Sequence, residues 1–460
     1  MNKIVVKFGG SNLKTREDIQ KIVATIKMYD RPLVIVVSAF YGITNYLSEG
    51  IRTVQNDDKH IREMISYVKT MKAETIEENI SDQNAKEEAY RLISKRLDQV
   101  ERFLLGIHYI GDIPNFIQDK ILSYGEKLSS LLLSIILKYN GIDAMEFLPE
   151  DMGLYTDGEF RNATIDFERS EALVREALKE DRVYVVPGFY GISEEGKVTL
   201  LGRGGSDYSA AGIARCIHAE SLDIWKDVNG FMSADPKMVK KPVRVSKLSY
   251  TEAAELSYFG AKILHPRTVE PLEDMEIPVR IFNIDARERT LKPLSLISRR
   301  GETGKMPAKS VSCSDDFAIL RISGAGVGLK PGILARVTSC LDSKSINIKS
   351  VVTAQTAINL YLESADLRRA GQLIKELNMK TITHVTEIDD MAIVALVGAG
   401  IPHEPGTADR MLKALAQKKI QTRIVSIGAS DVASYVVVKR DDRKQAVRAI
   451  HKEFFEGDES

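Results

Sequence analysis

Two stretches in the last third of the chain repeat each other, and this repeat constrains the fold more than any other feature. Gly324-Ala325-Gly326 and Pro331-Gly332 recur as Gly398-Ala399-Gly400 and Pro405-Gly406 at one constant spacing, with no insertion. A register kept in this way indicates duplicated structural units. Each copy has the pattern of a strand, a Pro-Gly turn, an amphipathic helix, two strands and a second helix. We therefore predict two ferredoxin-like βαββαβ units, packed side by side.

The N-terminal part of the chain has a different pattern, in which buried strands alternate with helices. Ile4-Val5-Val6 leads into Lys7-Phe8-Gly9-Gly10, and residues 32–37 form a second apolar run. Between them, Thr15 and Asp18 have the spacing of a helix capping box. Continuous apolar strands joined through a helix are typical of a parallel sheet covered on both faces. We predict an α/β domain with a mostly parallel open sheet and helices on both faces.

The middle of the chain predicts helices and a linker. Residues 52–105 are rich in charged residues, with apolar residues at helical intervals. We predict largely solvated helices there, a lid or an interface being the alternative. A long helix is predicted at 119–139, and the charged, glycine-containing segment 298–304 predicts a linker. The predicted divisions are a sheet domain at 1–299, a connecting segment at 300–315, and the repeated units at 316–384 and 385–460.

Composition excludes several classes of protein. Lys plus Arg and Asp plus Glu number 64 each and the pI is about 7.1, so there is no net cationic field for nucleic acid or an anionic membrane. The three cysteines are scattered, which fits free thiols in a reducing compartment. The longest apolar run, residues 131–137, is too short to span a bilayer, and a strand stands where a signal peptide would. We predict a soluble, cytoplasmic protein.

Two glycine-rich segments have the composition of anion-binding loops. Lys7 ends the first strand before Gly9 and Gly10, and the second segment reads Gly202-Arg203-Gly204-Gly205-Ser206-Asp207. Glycine leaves backbone amides accessible, lysine can reach a transferred phosphoryl group, and arginine can hold a carboxylate through two hydrogen bonds. Together the segments predict a reaction between an acidic substrate and a phosphate donor. Either alone could be an ordinary turn, and neither is a P-loop.

Other polar residues have functional and structural interpretations that the residues themselves leave open. Ser38 and Thr44 follow the second strand, where ligands of an open parallel sheet bind, although Thr44 could instead cap a helix. Glu126 could hold a substrate ammonium group or point to solvent. Asp207 could orient the first-strand lysine or a metal–phosphate complex, or cap a helix. The polar segment 226–237 could be a nucleotide loop or a surface loop.

In combination, these segments resemble the aspartokinase family of the amino-acid kinase superfamily, and the likeness covers nearly the whole chain. The matching segments are residues 7–11, 38–39, 42–45, 123–129, 202–207, 227–230, 234–236, 252–253 and 260–266. The doubled C-terminal unit resembles the tandem ACT domains of these enzymes. The resemblance implies phosphorylation of the L-aspartate side-chain carboxylate by ATP with Mg²⁺, the first step towards lysine, threonine and methionine.

The resemblance also implies roles for individual residues. Lys7 and Asp207 are expected to be catalytic. The residues expected to bind ATP are Lys7, Phe8, Gly9, Gly10, Lys226, Asp227, Met232, Lys237, Lys262 and Ile263. The residues expected to bind aspartate are Ser38, Thr44, Glu126, Arg203, Gly204 and Ser206, with Arg203 holding a carboxylate and Glu126 near the amino group. Asn12, Asn229 and Met232 depart from the residues that are frequent in the family at these positions.

Regulation by an amino acid, lysine or threonine, is a further implication of the ACT pair, in a homodimer or a homotetramer. The expected effector-binding residues are Pro331, Gly332, Ile333, Asn347 and Ile348. The family lends its second ACT unit a strand from before the first, and residues 309–312 are the candidate. The homoserine dehydrogenase domain of larger relatives is not expected here.

Two other functions are weighed against this one. Within the same fold, the substrate could be acetylglutamate, glutamate or UMP. Alternatively, the chain could be a catalytically silent amino-acid sensor in which the ACT pair is the working part. The complete set of lysine, arginine, aspartate and glycine positions in the N-terminal region favours the kinase.

Overall fold

The computed structural model describes residues 3–54, 57–299, 308–401 and 404–456. These residues form two compact units. The first contains the described residues up to Phe231, Arg244–Ala254, and those from Lys262 to residue 299. The second contains Met232–Val243, Glu255–Ala261 and the described residues from 308 onward. Most of the predicted linker, residues 300–304, lies outside the described residues.

The first unit is built around one large sheet. Its strands and a separate hairpin are β1 (Ile4–Phe8), β2 (Leu33–Val37), β3 (Ala144–Glu146), β4 (Val183–Pro187), β5 (Tyr190–Ile192), β6 (Val198–Leu200), β7 (Ser221–Lys226), β8 (Lys247–Leu248), β9 (Val279–Asn283) and β10 (Ser295–Ile297). The sheet order is β3-β4-β2-β1-β7-β9-β10-β8, and β5 pairs with β6. Neighbours are parallel except β9 and β10. The predicted mostly parallel sheet is confirmed. Both faces of β1 and β2 are buried, which explains their unbroken apolar sequences.

Helices of the first unit cover this sheet. They are α1 (Arg16–Ile26), α2 (Ile43–Val54), α3 (Lys59–Asn79), α4 (Gln83–Ile110), α5 (Asn115–Tyr139), α6 (Pro149–Met152), α7 (Phe167–Ala177), α8 (Gly205–Cys216), α9 (Tyr250–Tyr258) and α10 (Glu270–Glu273), and α9 continues into the second unit. The capping box is present: the Asp18 amide donates to Thr15 Oγ1 and the Thr15 amide donates to the Asp18 carboxylate, both at 3.2 Å.

Helices α3 and α4 are more deeply packed than the sequence prediction of largely solvated helices. Their outer faces are exposed, but Ile61, Met64, Val68 and Ile76 of α3 are buried in the main hydrophobic core. Lys72 lies among them and is fully buried. The predicted helices with apolar residues at helical spacing are therefore confirmed. The burial of Lys72, which the same spacing places on the apolar face, was not predicted.

The second unit contains two similar modules. The first consists of β12 (Ala318–Ser323), α11 (Ile333–Asp342), β13 (Ser350–Ala354), β14 (Ala357–Leu362), α12 (Leu367–Glu376) and β15 (His384–Ile388), with sheet order β13-β14-β12-β15. This is a complete βαββαβ unit. Strand β15 crosses the predicted boundary at 384/385 and pairs with β12, so the first module extends to Ile388.

The second module borrows a strand. It contains β16 (Met391–Val397), α13 (Thr407–Gln417), β17 (Ile424–Ser426), β18 (Ala433–Lys439) and α14 (Arg443–His451), and its sheet also includes β11 (Ser310–Ser314). The order is β11-β16-β18-β17, so β11 takes the place that β15 has in the first module. Both pair antiparallel with the module's first strand. The strand proposed at 309–312 is thus present, and it explains why the second copy reads as βαββα.

None of the helices in the described ranges combines the length and the apolar character that a bilayer crossing requires. The longest apolar helix, α5, instead packs its Leu and Ile side chains into the main core of the first unit.

Candidate active site

A cavity of about 350 Å³ opens at the carboxyl ends of β1 and β2 in the first unit. It brings together most of the residues expected at the aspartate and phosphate sites: Lys7, Gly10, Ser38, Thr44, Glu126, Arg203, Gly204, Ser206 and Asp207. Tyr41, Asn45 and Phe189 also line it and were not predicted as ligand contacts. Tyr41 belongs to the loop after β2 that carries Ser38, and Asn45 follows Thr44 in the first turn of α2. This proximity in sequence is the signal that could have found them.

The loop after β1 packs closely against the residues that follow β2. A β-carbon on Gly10 would lie 2.6 Å from the carbonyl oxygen of Ala39, so no other residue fits without movement. The buried Asn12 accepts a hydrogen bond from the Gly9 amide at 3.2 Å. Asn12, a departure from the family pattern, therefore stabilises the turn that presents Lys7 and Gly10 to the cavity.

Lys7 and Lys226 share one carboxylate. The Lys226 ammonium lies 3.1 Å from Asp207 Oδ2, and the Lys7 ammonium contacts Asp207 Oδ1. Burial alone would raise the pKa of Asp207, but the charges of Lys226 and Lys7 hold that pKa well below its usual range. Burial lowers the pKa of Lys7, and Asp207 opposes that shift. Asp207 therefore remains ionised and fixes the direction of two cations.

The amino end of helix α8 forms a second anion-binding wall. Gly204 precedes the helix with φ of 68°, and a β-carbon there would lie 2.3 Å from Cβ of His265. Glycine is needed for both reasons. The first amides of α8 and the partial positive charge of its helix dipole attract an anion, and Arg203 and Ser206 line the cavity beside them.

Glu126 on α5 points into the protein and lines the cavity. It is 3% exposed, so the interpretation that it faces solvent is wrong. The Ala39 amide donates to its carboxylate, while Oε2 has no hydrogen-bond partner among the described residues. Burial raises the pKa of Glu126 to about 8, against the opposing charges of Lys7 and Lys72. A buried carboxylate with a free oxygen is suited to accept a substrate ammonium group.

Lys72 on α3 is a neighbour of this site that sequence reasoning missed. Its ammonium lies 3.2 Å from the centre of the Phe40 ring, and Phe40 lines the cavity. It has no hydrogen-bond partner among the described residues. Burial lowers the pKa of Lys72 well below its usual value, and the charge of Glu126 opposes that shift. Lys72 therefore interacts with the active site electrostatically, from behind the cavity wall.

The residues expected to bind ATP are only partly brought together. Asp227 accepts from Ser11 Oγ at 3.4 Å, and the Ile263 carbonyl accepts from Lys226. The Phe8 side chain is buried in the core, which leaves only its backbone for a ligand. Lys262 is exposed in the turn after α9. Met232 and Lys237 belong to the second compact unit, and their nucleotide role stays a prediction.

The predicted effector residues lie in the first module of the second unit. Helix α11 starts at Ile333, directly after Pro331 and Gly332, and Gly332 has φ of 83°. Asn347 and Ile348 lie in the segment between α11 and β13, which begins at Ser350. Their role stays a prediction.

Similarity to known proteins decides the family. A model of the amino acid kinase family matches residues 2–283, and a model of the ACT domain matches residues 394–454. An aspartokinase of Corynebacterium glutamicum is 31% identical over 353 residues, covering 74% of this chain and 82% of the relative. The chain belongs to the aspartokinases of the amino acid kinase family. Chloroplastic aspartokinase 1 of Arabidopsis thaliana is 28% identical over 98% of this chain and 80% of the relative.

Solved aspartokinases share the fold over the whole length. E. coli aspartokinase III in complex with aspartate and ADP, in the R-state, superposes with a TM-score of 0.83 at 26% identity, covering 98% of this chain and 99% of that chain. The same enzyme with lysine and aspartate, in the T-state, gives a TM-score of 0.79 at 25% identity and the same coverage. This aspartokinase is therefore an α/β kinase with a C-terminal ACT region.

Proposed function

We propose that this aspartokinase transfers the γ-phosphoryl group of ATP to the side-chain carboxylate of L-aspartate, giving ADP and 4-phospho-L-aspartate. One observation carries the proposal: the Lys7 ammonium and the Arg203–helix α8 wall line the same cavity. The two reactants are both anions, so the main barrier is their mutual repulsion. Cations and amides fixed in place before the reaction lower that barrier without reorganising.

The substrate carboxylate needs no general base, because it is already ionised at neutral pH. We assign Arg203 to one aspartate carboxylate, since a guanidinium binds a carboxylate through two parallel hydrogen bonds. Glu126 takes the ammonium group, and Ser38, Thr44 and Ser206 supply hydroxyls around it. Binding at both ends of the amino acid directs the side-chain carboxylate to the phosphate side of the cavity.

We assign Lys7 to the phosphoryl group during its transfer, and the amides of Gly9 and Gly10 to hydrogen bonds with the phosphates of ATP. Asp207 keeps Lys7 and Lys226 directed at this position through its two ion pairs. ATP enters as its Mg²⁺ complex, so the metal arrives with the substrate. E. coli aspartokinase III, which has the same fold, binds aspartate and ADP. That similarity supports the choice of substrates.

The activity is tested by hydroxamate formation from aspartate and MgATP with the purified full chain. N-acetylglutamate and glutamate serve as alternative acceptors in the same assay, since each would give an acyl phosphate. UMP is tested by the release of ADP, because its phosphorylation gives no acyl phosphate for hydroxylamine to trap. We expect turnover with aspartate only. Turnover with another acceptor and none with aspartate would reject the assignment, and binding of amino acids without any turnover would favour a sensor.

We also propose amino-acid inhibition through the first module of the second unit, in a homodimer or homotetramer. The proposed effector site comprises Pro331, Gly332, Ile333, Asn347 and Ile348. Lysine and threonine are the candidate effectors, and lysine is bound in the T-state structure of E. coli aspartokinase III. The same assay with lysine, threonine and both measures this. Unchanged rates in all three would remove the proposal, and light scattering gives the subunit number.

A further inference from the structure

The loop before α8, residues 201–204, carries Arg203 and packs against a second loop, residues 161–164. Gly202 has φ of 73°, and a β-carbon there would lie 2.7 Å from Oδ1 of Asn162. Gly202 directly precedes Arg203, so a shift of one loop against the other moves the base of the Arg203 side chain. The position of this guanidinium therefore depends on what holds the two loops together.

Arg267, in the segment between α9 and α10, joins these two loops with its guanidinium group. Nη1 donates to the Leu201 carbonyl at 3.2 Å and to Asn162 Oδ1 at 3.3 Å. Nη2 donates to the Ala163 carbonyl at 3.1 Å and to Thr164 Oγ1 at 3.2 Å. A rigid, planar fork can hold several acceptors in one fixed arrangement. The first residue of the loop before α8 is thus tied to three residues of the second loop.

Two further contacts hold the same part of the chain. The guanidinium carbon of Arg267 lies 4.3 Å from the centre of the Tyr208 ring, in the first turn of α8. The fully buried carboxylate of Asp119 on α5 accepts from the Arg161 amide at 2.8 Å and from the Leu200 amide at 2.9 Å. Both loops and the start of α8 are therefore fastened by charged side chains that come from elsewhere in the first unit.

We propose that Arg267 is a positioning residue for aspartate, because it holds the loop before α8 so that Arg203 faces the substrate carboxylate. Arg203 lines the active-site cavity, whereas Arg267 does not and acts through the loop. The inference rests on the proposed function, in which Arg203 binds aspartate. Misplacement of a binding group by about 1 Å can slow a reaction by about 10²-fold. The phosphates of ATP, assigned to Lys7 and the glycine amides after β1, should be affected little.

Steady-state kinetics of Arg267→Met in the full chain test the proposal. We expect KM for aspartate to rise about tenfold, while KM for MgATP stays within about twofold of wild type. Arg267→Lys is the milder change, and it keeps the charge but lacks the planar fork, so we expect a similar rise. A wild-type KM for aspartate in Arg267→Lys would show that Arg267 acts through its charge alone, and would overturn the proposal.

Arg215→Met is the matched control, because it removes a similar guanidinium from the last turn of the same helix. The guanidinium carbon of Arg215 lies 4.5 Å from the centre of the Phe167 ring, and Nη1 lies 3.6 Å from Asp274 Oδ2. We expect Arg215→Met to lower Tm about as much as Arg267→Met does, and to keep both KM values. An equal rise of KM for aspartate in the two variants would mean general destabilisation and would contradict the proposal.

Hydrogen exchange of the ligand-free enzyme gives a readout that does not depend on turnover. We expect the amides of residues 200–206 to exchange about fivefold faster in Arg267→Met than in the wild type, and at wild-type rates in Arg215→Met. Equal exchange in all three proteins would overturn the proposal, as would faster exchange with an unchanged KM for aspartate. Absence of aspartate turnover in the wild type would instead reject the proposed function, and the exchange rates would still decide whether Arg267 holds the loop.

Discussion

Lys7 and Lys72 are both buried in the first unit, but their charges are compensated in different ways. Lys7 is the penultimate residue of β1 and forms an ion pair with Asp207 at the cavity wall. Lys72 lies within a helix, against the Phe40 ring, with no hydrogen-bond partner among the described residues. Burial lowers the pKa of both. The ammonium of Lys7, which is proposed to act in the chemistry, is held in place by a carboxylate. The ammonium of Lys72 affects Glu126 through its charge alone.

The strongest test of this contrast is Lys7→Ala. We expect kcat to fall by about 10³-fold, because a cation placed at the transferred phosphoryl group acts mainly in the transition state. KM for aspartate should change little, since Arg203 and Glu126 are the residues proposed to hold the substrate. Steady-state kinetics measure both constants. Lys27→Ala, at an exposed position after α1, is the control. A normal kcat for Lys7→Ala would remove Lys7 from the chemistry and end the comparison.

Gly204→Ala tests the α8 wall of the same cavity. The substitution forces a β-carbon into a left-handed backbone and against His265, so we expect kcat/KM to fall about 10²-fold through displacement of Arg203 and Ser206. Gly196→Ala is a matched control, because Gly196 has φ of 73° and open space around it. Both variants should lose about 1 kcal/mol of unfolding free energy from backbone strain. Only Gly204→Ala should lose activity, and equal activities would show that this wall does not position substrate.

Glu126 predicts a pH dependence of aspartate binding. Its pKa is about 8 in the free protein, so it is mostly protonated at neutral pH and ionises as pH rises. An ammonium group binds the ionised form, and kcat/KM for aspartate should therefore rise about 25-fold between about pH 6.5 and about pH 8.5. Lys7 and Lys72 are the cations that oppose the raised pKa. Glu126→Gln should be slower and lose this rise, while a rise retained in the variant would assign it to another group.

The same raised pKa has a defined effect on stability. Between the unfolded pKa of Glu126 and about pH 8, the folded protein binds more protons than the unfolded chain. This contribution is present at low pH and declines as pH rises through the folded pKa. The contribution of Glu126 to stability thus declines over the same pH range in which its carboxylate becomes able to accept an ammonium group.

The position of Lys7 at the carboxyl edge of the sheet could be predicted from the sequence, because the signals for it are local. Apolar runs that end in glycine indicate buried strands opening into loops, and parallel strands bring such loops to one edge of a sheet. Lys7, Ser38 and Arg203 were found in this way, and the constant register of the repeat predicted both C-terminal modules. The strand β11 could be proposed from the family resemblance, although it is distant in sequence from the module it completes.

The burial of Lys72 on α3 was not predicted, although the sequence contains a signal for it. Val68, Lys72 and Ile76 are spaced four residues apart, so Lys72 falls on the apolar face of α3. The helical spacing of the apolar residues was recognised, but a lysine in a segment rich in charged residues was taken to be solvated. The second unit contains a cavity of about 260 Å³ that is lined by aromatic rings, including those of Phe259, Phe317 and Tyr435. No comparable sequence signal exists for it, because these residues come from separate parts of the chain. Tertiary packing alone brings them together.

Lys72→Met has the smallest expected effect. It tests the difference between Lys7, whose buried charge is paired with Asp207, and Lys72, whose buried charge is not. The folded-state pKa of Lys72 lies below the unfolded one, so the unfolded chain binds more protons and wild-type stability declines as pH falls. Replacing the ammonium by an apolar group of similar length should raise Tm by a few degrees. The gain should be larger near pH 6 than near pH 9, as measured by thermal unfolding. Lys69→Met, on the exposed face of α3, should change little.

The pH profile of activity in Lys72→Met tests whether Lys72 acts on Glu126 through its charge. Without this cation, Glu126 is harder to ionise, so the rise of kcat/KM with pH should move to higher pH while kcat at saturating aspartate stays near wild type. A lysine that acted only through packing would leave the pH profile in place, and a lysine that touched the substrate would lower kcat as Lys7→Ala does. A pH profile that shifts while kcat is preserved would show that Lys72 acts through its charge, and would exclude both a packing role and contact with the substrate.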